Sequence, residues 1–227
     1  MTKDKAIKLR KQGLSYNEIQ KILGTAKSTL SYWLKDIELS DSAKNKIANN
    51  KYQKNTLKLI KRNKNQSKIA RDNYNKIISK AIKEFDKYKN DPFFISGISL
   101  YWAEGYKKGA DKSKWKVIDF ANSDKHMIKL MMLFFRKYLK VPEEKYKAQI
   151  IIHPNCDLKK SLSIWSDITD IKKDKFIKSF SKTPNSSKGI RNKKSLPNGT
   201  LHIRIYDVKQ FFRIIGWIEG LKKHYKV

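Results

Sequence analysis

A stretch of chain without helix breakers constrains the fold of this sequence more than any other feature. From Asp41 onward, the sequence contains no proline until Pro92 and no glycine until Gly97. Because proline and glycine are the residues that most often end or interrupt helices, this stretch predicts one or two long helices. It divides the chain into an N-terminal part (residues 1–38), a helical connector (39–92) and a C-terminal part (93–227).

The net charge restricts the class of partner. The 227 residues include 52 Lys and Arg but only 21 Asp and Glu, which leaves a formal charge of +31. Such an excess of one sign is typical of proteins that bind a polyanion. The net charge is distributed along the whole chain, with +4 on residues 1–38, +10 on 39–93 and +17 on 94–227. Nucleic acid is the expected partner, and an anionic membrane surface is the alternative.

Other classes of protein are excluded by what the sequence lacks. No apolar run approaches the roughly 18–20 residues of a membrane span, and the first residues do not resemble a signal peptide. The single cysteine, Cys156, excludes an internal disulfide and a zinc cluster built from cysteines. We therefore expect a cytoplasmic, nucleoid-associated protein that does not bind membranes.

The first 38 residues have the pattern of three short helices. Ser15 and Glu18 have the spacing of a capping box at the start of the second helix, and Gly24 ends that helix. The third helix, at about Lys27–Lys35, turns Leu30 and Leu34 inward. Its outward positions can all form hydrogen bonds: they are Lys27, Ser28, Ser31, Tyr32 and Lys35.

This pattern resembles the helix-turn-helix domains of resolvases, transposases and many repressors. In that family the third helix enters the major groove and presents its N-terminal polar residues to the base edges. The resemblance implies that the five outward residues bind double-stranded DNA. A three-helix module for protein interaction is the alternative.

The connector is basic, and its apolar residues change along its length. They are sparse at first and become periodic at the end, at Tyr74, Ile78, Ala81, Phe85 and Tyr88. This spacing predicts that the last part of the connector packs on the C-terminal part. The earlier part is either an arm that follows DNA phosphates, a spacer in a dimer or a solvated linker.

The C-terminal part alternates helices with strands, which predicts a mixed α+β domain with an antiparallel sheet. The patterns place helices at Phe93–Gly105, Lys125–Leu139, Leu158–Thr169 and Val208–Leu221, and strands at Trp115–Ala121, Lys147–His153 and Leu201–Tyr206.

Two of these strands alternate apolar and polar residues, so one face of the sheet should lie in the core. The other face offers Lys147, Gln149, His202, Arg204 and Tyr206 for contacts with DNA phosphates and base edges. A basic loop before the last strand adds Lys188, Arg191, Lys193 and Lys194 to the predicted DNA-binding residues.

The segment Gly97–Gly105 reads Gly-Ile-Ser-Leu-Tyr-Trp-Ala-Glu-Gly and resembles a divergent LAGLIDADG motif, which names a family of homing endonucleases. The acidic-Gly ending matches, whereas Trp102 replaces the usual first Asp and Ser99 replaces a Gly. In that family two such helices pack closely, and each brings a carboxylate to divalent metal at the scissile phosphates. The resemblance implies a LAGLIDADG-like domain, with Glu104 as a catalytic residue and metal ligand. It also implies Mg²⁺ as the cofactor and a homodimer, because the chain supplies one clear motif.

A second acidic-Gly pair, Glu219 and Gly220, lies in the last helix. Gly216 and Gly220 are four residues apart and lie on one face of this helix. One hypothesis is that the helix packs on the first helix of this part and brings Glu219 near Glu104 as a second catalytic carboxylate. The alternative is that the two glycines permit tight core packing and Glu219 lies at the surface. His153 and Cys156 form a weaker, two-residue candidate for a metal site.

Two functions fit these observations. The first is sequence-specific binding of double-stranded DNA by a homing-endonuclease-like enzyme or a degenerate relative of one. The second is a transcriptional regulator that uses the same parts without cutting. A recombinase or transposase accessory protein and an RNA-binding protein are further alternatives.

Overall fold

The structure, a computed structural model, describes residues 2–110, 114–154, 156–181 and 196–227. The chain folds into two compact units, Met1–Ala70 and Arg71–Val227. It belongs to the mixed α+β class, as the sequence predicts. Within the described ranges, no helix combines the length and the apolar character that crossing a membrane requires.

The first unit begins with three helices, α1 (Thr2–Lys11), α2 (Tyr16–Leu23) and α3 (Lys27–Leu34). A small core of Ala6, Ile19, Leu30 and Leu34 joins them, and each of these side chains is at most 2% exposed. The inward positions of α3 are therefore the two leucines that its pattern indicates.

The breaker-free stretch forms one continuous helix, α4 (Asp41–Tyr88), which is 48 residues long. Its first part belongs to the first unit, and its last part belongs to the second unit. In that last part, Ala81 and Phe85 are buried in the core of the second unit, and Tyr74, Ile78 and Tyr88 pack against it. The periodic apolar residues at the end of the connector thus have the packing role that their spacing predicts.

The second unit continues with α5 (Pro92–Glu104), β1 (Ile118–Asn122), α6 (Lys125–Phe134), β2 (Tyr146–Ile152), α7 (Leu158–Thr169), β3 (Phe180–Ser181), β4 (Thr200–Ile205) and α8 (Val208–Tyr225). A π-helical turn, Phe135–Leu139, follows α6 directly. The predicted helices and strands occur with small shifts of their ends, and β3 is an additional strand that the sequence patterns did not indicate.

The strand order in the sheet is β1-β4-β2-β3. β4 pairs with β1 and β2 in antiparallel fashion, and the short β3 pairs with β2 in parallel. The register places Phe120, Ala148 and Ile203 side by side on one face, and all three are fully buried. This face forms part of the core with α5, α6 and α8, and the opposite face carries the polar side chains.

Candidate nucleic-acid interface

The outer face of α3 is a polar surface in the first unit. Leu30 and Leu34 hold one side of this helix in the core. The predicted DNA-binding residues are all exposed: Lys27, Ser28, Ser31, Tyr32 and Lys35. Ser28, Ser31 and Tyr32 lie on the other side of the helix, whereas the two lysines lie at its ends. Tyr32 is 75% exposed, and the ammonium of Lys35 lies 5.9 Å from the centre of its ring. The arrangement presents hydrogen-bond donors and acceptors together with positive charge on one face.

The position of α3 depends on the ends of α2. At the start of α2, the Glu18 carboxylate accepts hydrogen bonds from the backbone N–H and the hydroxyl of Ser15, while the Ser15 oxygen accepts from the Glu18 N–H. This is the capping box that the spacing predicts. At the other end, Gly24 has φ of 66°, a left-handed conformation that costs glycine little. Only residues 24–26 then separate α2 from α3, so the turn between the helices is tight.

A second polar surface, which we call the polar sheet face, belongs to the other unit. In β4, His202 and Arg204 alternate with buried Leu201, Ile203 and Ile205, as predicted. Both polar side chains contact Asp119 of β1. Nδ1 of His202 lies 2.9 Å from one carboxylate oxygen, and Nε of Arg204 donates to the other over 2.9 Å.

Asp119 changes the electrostatic character of this face, and sequence reasoning missed it. The residue is only 7% exposed, and the side chains of His202 and Arg204 are 20% and 16% exposed. The guanidinium of Arg204 also lies 5.5 Å from the centre of the Trp115 ring. Two predicted DNA-binding residues are therefore held in a partly buried cluster around Asp119, in which Arg204 forms an ion pair with the carboxylate.

The other predicted residues of the polar sheet face differ in accessibility. Lys147 is half-buried beside Arg204 in the register, and Tyr206 is 49% exposed just after β4. Gln149 departs from the expectation of a solvent-facing side chain: it is only 4% exposed, and its amide donates to the Lys178 carbonyl over 2.7 Å. The segment that leads into β3 covers it, a feature that strand alternation cannot indicate.

The predicted basic loop falls in a part of the chain that the structure does not describe. Its four named residues, Lys188, Arg191, Lys193 and Lys194, lie outside the described residues.

Glu104 is exposed in the last turn of α5, beside a lysine. The Lys107 ammonium donates to the carbonyls of Trp102 and Gly105, over 2.7 and 2.8 Å, at the negative end of the helix. Burial lowers the pKa of Lys107, and the nearby charge of Glu104 opposes that shift.

Within one copy of the chain, these groups do not by themselves form a Mg²⁺ site; the LAGLIDADG resemblance implies a site that takes a carboxylate from each of two copies. A divalent ion needs several oxygen ligands, and the Lys107 ammonium already binds the carbonyls of Trp102 and Gly105, on either side of Glu104 in the sequence. Among the described residues, no group of three or more His, Cys, Asp and Glu side chains could hold a metal ion.

The two glycines of α8 lie in close contact with another helix. A Cβ atom added to Gly216 would lie 2.5 Å from the Cβ of Ala81, and one added to Gly220 would lie 2.7 Å from the Cβ of Phe85. Both neighbours belong to α4. This confirms the alternative, in which the two glycines permit tight core packing. α8 also packs on α5, where the ring centres of Phe94 and Trp217 lie 5.2 Å apart, so that part of the pairing hypothesis is confirmed as well. The approach of Glu219 to Glu104 stays a prediction.

Glu219 lies at the edge of this packing. Its side chain is 41% exposed and accepts a hydrogen bond from Lys222 over 2.8 Å. The Lys222 ammonium in turn lies 5.5 Å from the centre of the Trp102 ring on α5. Glu104 and Glu219 each therefore have a lysine as a neighbour.

The pair of His153 and Cys156 also lacks the features of a metal site. The thiol of Cys156 lies 3.9 Å from the Leu196 carbonyl, a weak hydrogen bond. The two residues belong to no metal-binding group of three or more among the described residues.

The comparisons with known proteins add no further constraint on this interface. No protein-family model matches the chain, and neither a curated protein nor a solved structure matches it.

Proposed function

We propose that this protein binds double-stranded DNA sequence-specifically, with α3 of the first unit in the major groove. One observation carries the proposal: two leucines fix one side of α3 in the core, while Ser28, Ser31 and Tyr32 are exposed on the other side. Exposed Lys27 and Lys35 lie at the two ends of the helix. A helix held in this way after a three-residue turn can enter a groove that is about 12 Å wide. The formal charge of +31 supports a polyanionic partner.

The residues have different roles in this proposal. Lys27 and Lys35 provide charge for phosphates or for the acceptor atoms of guanine, and Ser28 and Ser31 can donate to or accept from base edges. Tyr32 offers an exposed ring and a hydroxyl group. In the second unit, half-buried Lys147 and exposed Tyr206 can add contacts with phosphates, and neither has an assigned role in base recognition.

Selection of bound duplexes from a random pool tests the proposal. The full-length protein should enrich a defined sequence, and Lys27→Ala with Lys35→Ala should weaken binding to it by at least about tenfold, since each good base contact contributes about 1–3 kcal/mol. A control that replaces Lys159 and Lys160, exposed lysines at the start of α7, should bind normally. Failure to enrich any sequence, or equal binding by the α3 variant, would overturn the proposal.

The enriched duplex also distinguishes a regulator from a nuclease. Because Lys107 lies beside Glu104, we expect the protein to bind this duplex without cutting it when Mg²⁺ is present. Strand cleavage that Glu104→Gln abolishes without weakening binding would instead identify an endonuclease.

A further inference from the structure

The first unit contains a second strongly charged surface, on α4. Between residues 42 and 70 this helix carries nine Lys and Arg and no Asp or Glu. An acid-free segment of this length is unusual for an isolated solvated helix, which is normally stabilised by ion pairs between successive turns. Its basic residues are Lys44, Lys46, Lys51, Lys54, Lys58, Lys61, Arg62, Lys64 and Lys68.

Two of these lysines fix α4 to the three-helix bundle. The Lys46 ammonium donates to the Gln12 carbonyl over 3.2 Å, and the Lys54 ammonium forms an ion pair with Glu18 over 2.6 Å. Between these helices, Gly13 approaches Ala43 so closely that an added Cβ would lie 3.1 Å from the Ala43 carbonyl oxygen. The bundle therefore lies on the side of α4 to which Ala43 and Lys54 point.

The basic residues beyond Lys54 point to that same side. An α-helix turns by about 100° per residue, so these five side chains lie within about 80° of the direction of Lys54. We call them the basic stripe: Lys58, Lys61, Arg62, Lys64 and Lys68. All five are exposed, and within the described part of the chain none of them has an ion-pair partner.

The opposite side of this segment has a different composition. It carries Tyr52, Thr56, Asn63, Gln66 and Ser67, which lie about 120–180° from Lys54. The positive charge is thus concentrated on one side of the helix, where the bundle also lies, and covers about 15 Å of helix from Lys58 to Lys68.

We propose that the basic stripe binds the phosphates of the same DNA duplex that α3 contacts, outside the segment that α3 reads. This inference rests on the proposed function, because it needs the duplex to be held on the side of α4 where the bundle lies. Duplex DNA carries one negative charge per about 1.7 Å, so an acid-free row of cations has a matching partner along its whole length. A second copy of the same helix is disfavoured as the partner, since two acid-free stripes would repel each other.

The salt dependence of binding tests this proposal in the full-length protein. Replacing the five stripe residues by Gln keeps a good helix former at each position and removes five phosphate contacts. The slope of log affinity against log salt should then become shallower by about 4 to 5. When the salt concentration rises from about 50 to 200 mM, the DNA affinity of the unchanged protein should fall about five-hundredfold more than that of the variant. Circular dichroism checks that the helix content is kept.

A charge-relocated variant provides the matched control. It combines the five Gln replacements with five new lysines on the opposite side, through Asn49→Lys, Thr56→Lys, Asn63→Lys, Gln66→Lys and Ser67→Lys. The net charge is then that of the unchanged protein. We expect the relocated variant to keep the shallow slope, and hydroxyl-radical footprints should show that both variants lose protection on one side of the α3 site. Recovery of the original slope would show that total charge matters rather than the stripe, and would overturn the proposal.

The outcomes separate this inference from the proposed function. If the unchanged protein enriches no duplex, the proposed function fails and the stripe proposal fails with it. If the protein binds its duplex and depends on Lys27 and Lys35, but the five-Gln variant keeps the original slope and footprint, the stripe proposal fails alone. A change in sedimentation of the five-Gln variant, with an unchanged salt slope, would show that the stripe acts in self-association instead.

Discussion

The basic stripe in the first unit and the polar sheet face in the second unit both carry predicted DNA-binding residues, but they differ in how those residues are paired. The five residues of the stripe are exposed, and no ion-pair partner contacts them among the described residues. On the polar sheet face, His202 and Arg204 share the buried carboxylate of Asp119. The contrast shows that the number of cations on a surface does not measure the charge that is available to a polyanion. One buried acid can convert two candidate DNA contacts into a structural cluster.

Replacement of Asp119 should have the largest effect on stability. Asp119→Asn leaves the guanidinium of Arg204 partly buried without its counter-charge, and we expect it to lower the free energy of unfolding by about 2–3 kcal/mol. Urea denaturation followed by circular dichroism measures this change. Asp167→Asn, which removes an exposed acid from the same unit, should have almost no effect.

The same variant tests how the two surfaces differ in function. If His202 and Arg204 are structural, Asp119→Asn will not tighten DNA binding by the folded protein. Normal stability combined with clearly tighter binding would contradict this interpretation, because it would show that Asp119 only restrains residues that contact DNA.

Replacement of Arg213 in α8, another cation with an ion-pair partner, should have the next largest effect on stability. Its guanidinium donates to Glu84 of α4 over 2.8 Å and to the Tyr138 carbonyl over 3.0 Å, and the Trp217 ring N–H donates to the same carboxylate. The hydrogen bond from Arg213 lowers the pKa of Glu84 most, and the hydrogen bond from Trp217 lowers it further. Arg213→Met should therefore lower the free energy of unfolding of the second unit by about 2 kcal/mol.

Lys209→Met supplies the control for Arg213, because it removes one exposed positive charge from the same helix. Both variants lose one positive charge. If these residues contribute to DNA binding only through their charge, the two substitutions should weaken DNA binding equally. A stability loss confined to Arg213→Met supports the structural role. Equal stability of the two variants would contradict it.

Much of the fold follows from local patterns, because those patterns reflect interactions within one element. The absence of Gly and Pro predicted one or two long helices, of which the structure has one, α4. Alternation predicted the buried face of β4, and the Ser15 and Glu18 spacing predicted a capping box. Each depends on residues that are near in sequence. The inward and outward sides of α3 were predictable for the same reason.

The parts that were not predicted depend on contacts between distant elements. Nothing near Asp119 in the sequence indicates that it pairs with residues 83 and 85 positions away, since the register of β1 with β4 brings them together. Gln149 is covered by a segment that precedes a two-residue strand. The spacing of Gly216 and Gly220 indicates a flat side of α8 but not which helix packs there, and that helix is α4.

Glu18 should show the smallest effect, as a pH dependence of stability in the first unit. The hydrogen bonds from Lys54 and Ser15 lower its pKa from 4.5 to about 2 in the folded protein. Since the unfolded chain binds the proton more readily, the stabilisation is complete above about pH 4.5 and is lost as the pH falls toward 2. Lys54 is largely exposed, so the contribution should stay below about 1 kcal/mol.

Comparison with Glu18→Gln measures this contribution. The unchanged protein should be slightly more stable than the variant at pH 6, and the difference should disappear near pH 2. Glu38→Gln, at an exposed position, should show no such trend. A difference that persists at low pH would mean that Glu18 stabilises the bundle through neutral hydrogen bonds. In that case the ion pair with Lys54 would not fix the direction of α4, and the alignment of the basic stripe would depend on the packing of Gly13 against Ala43.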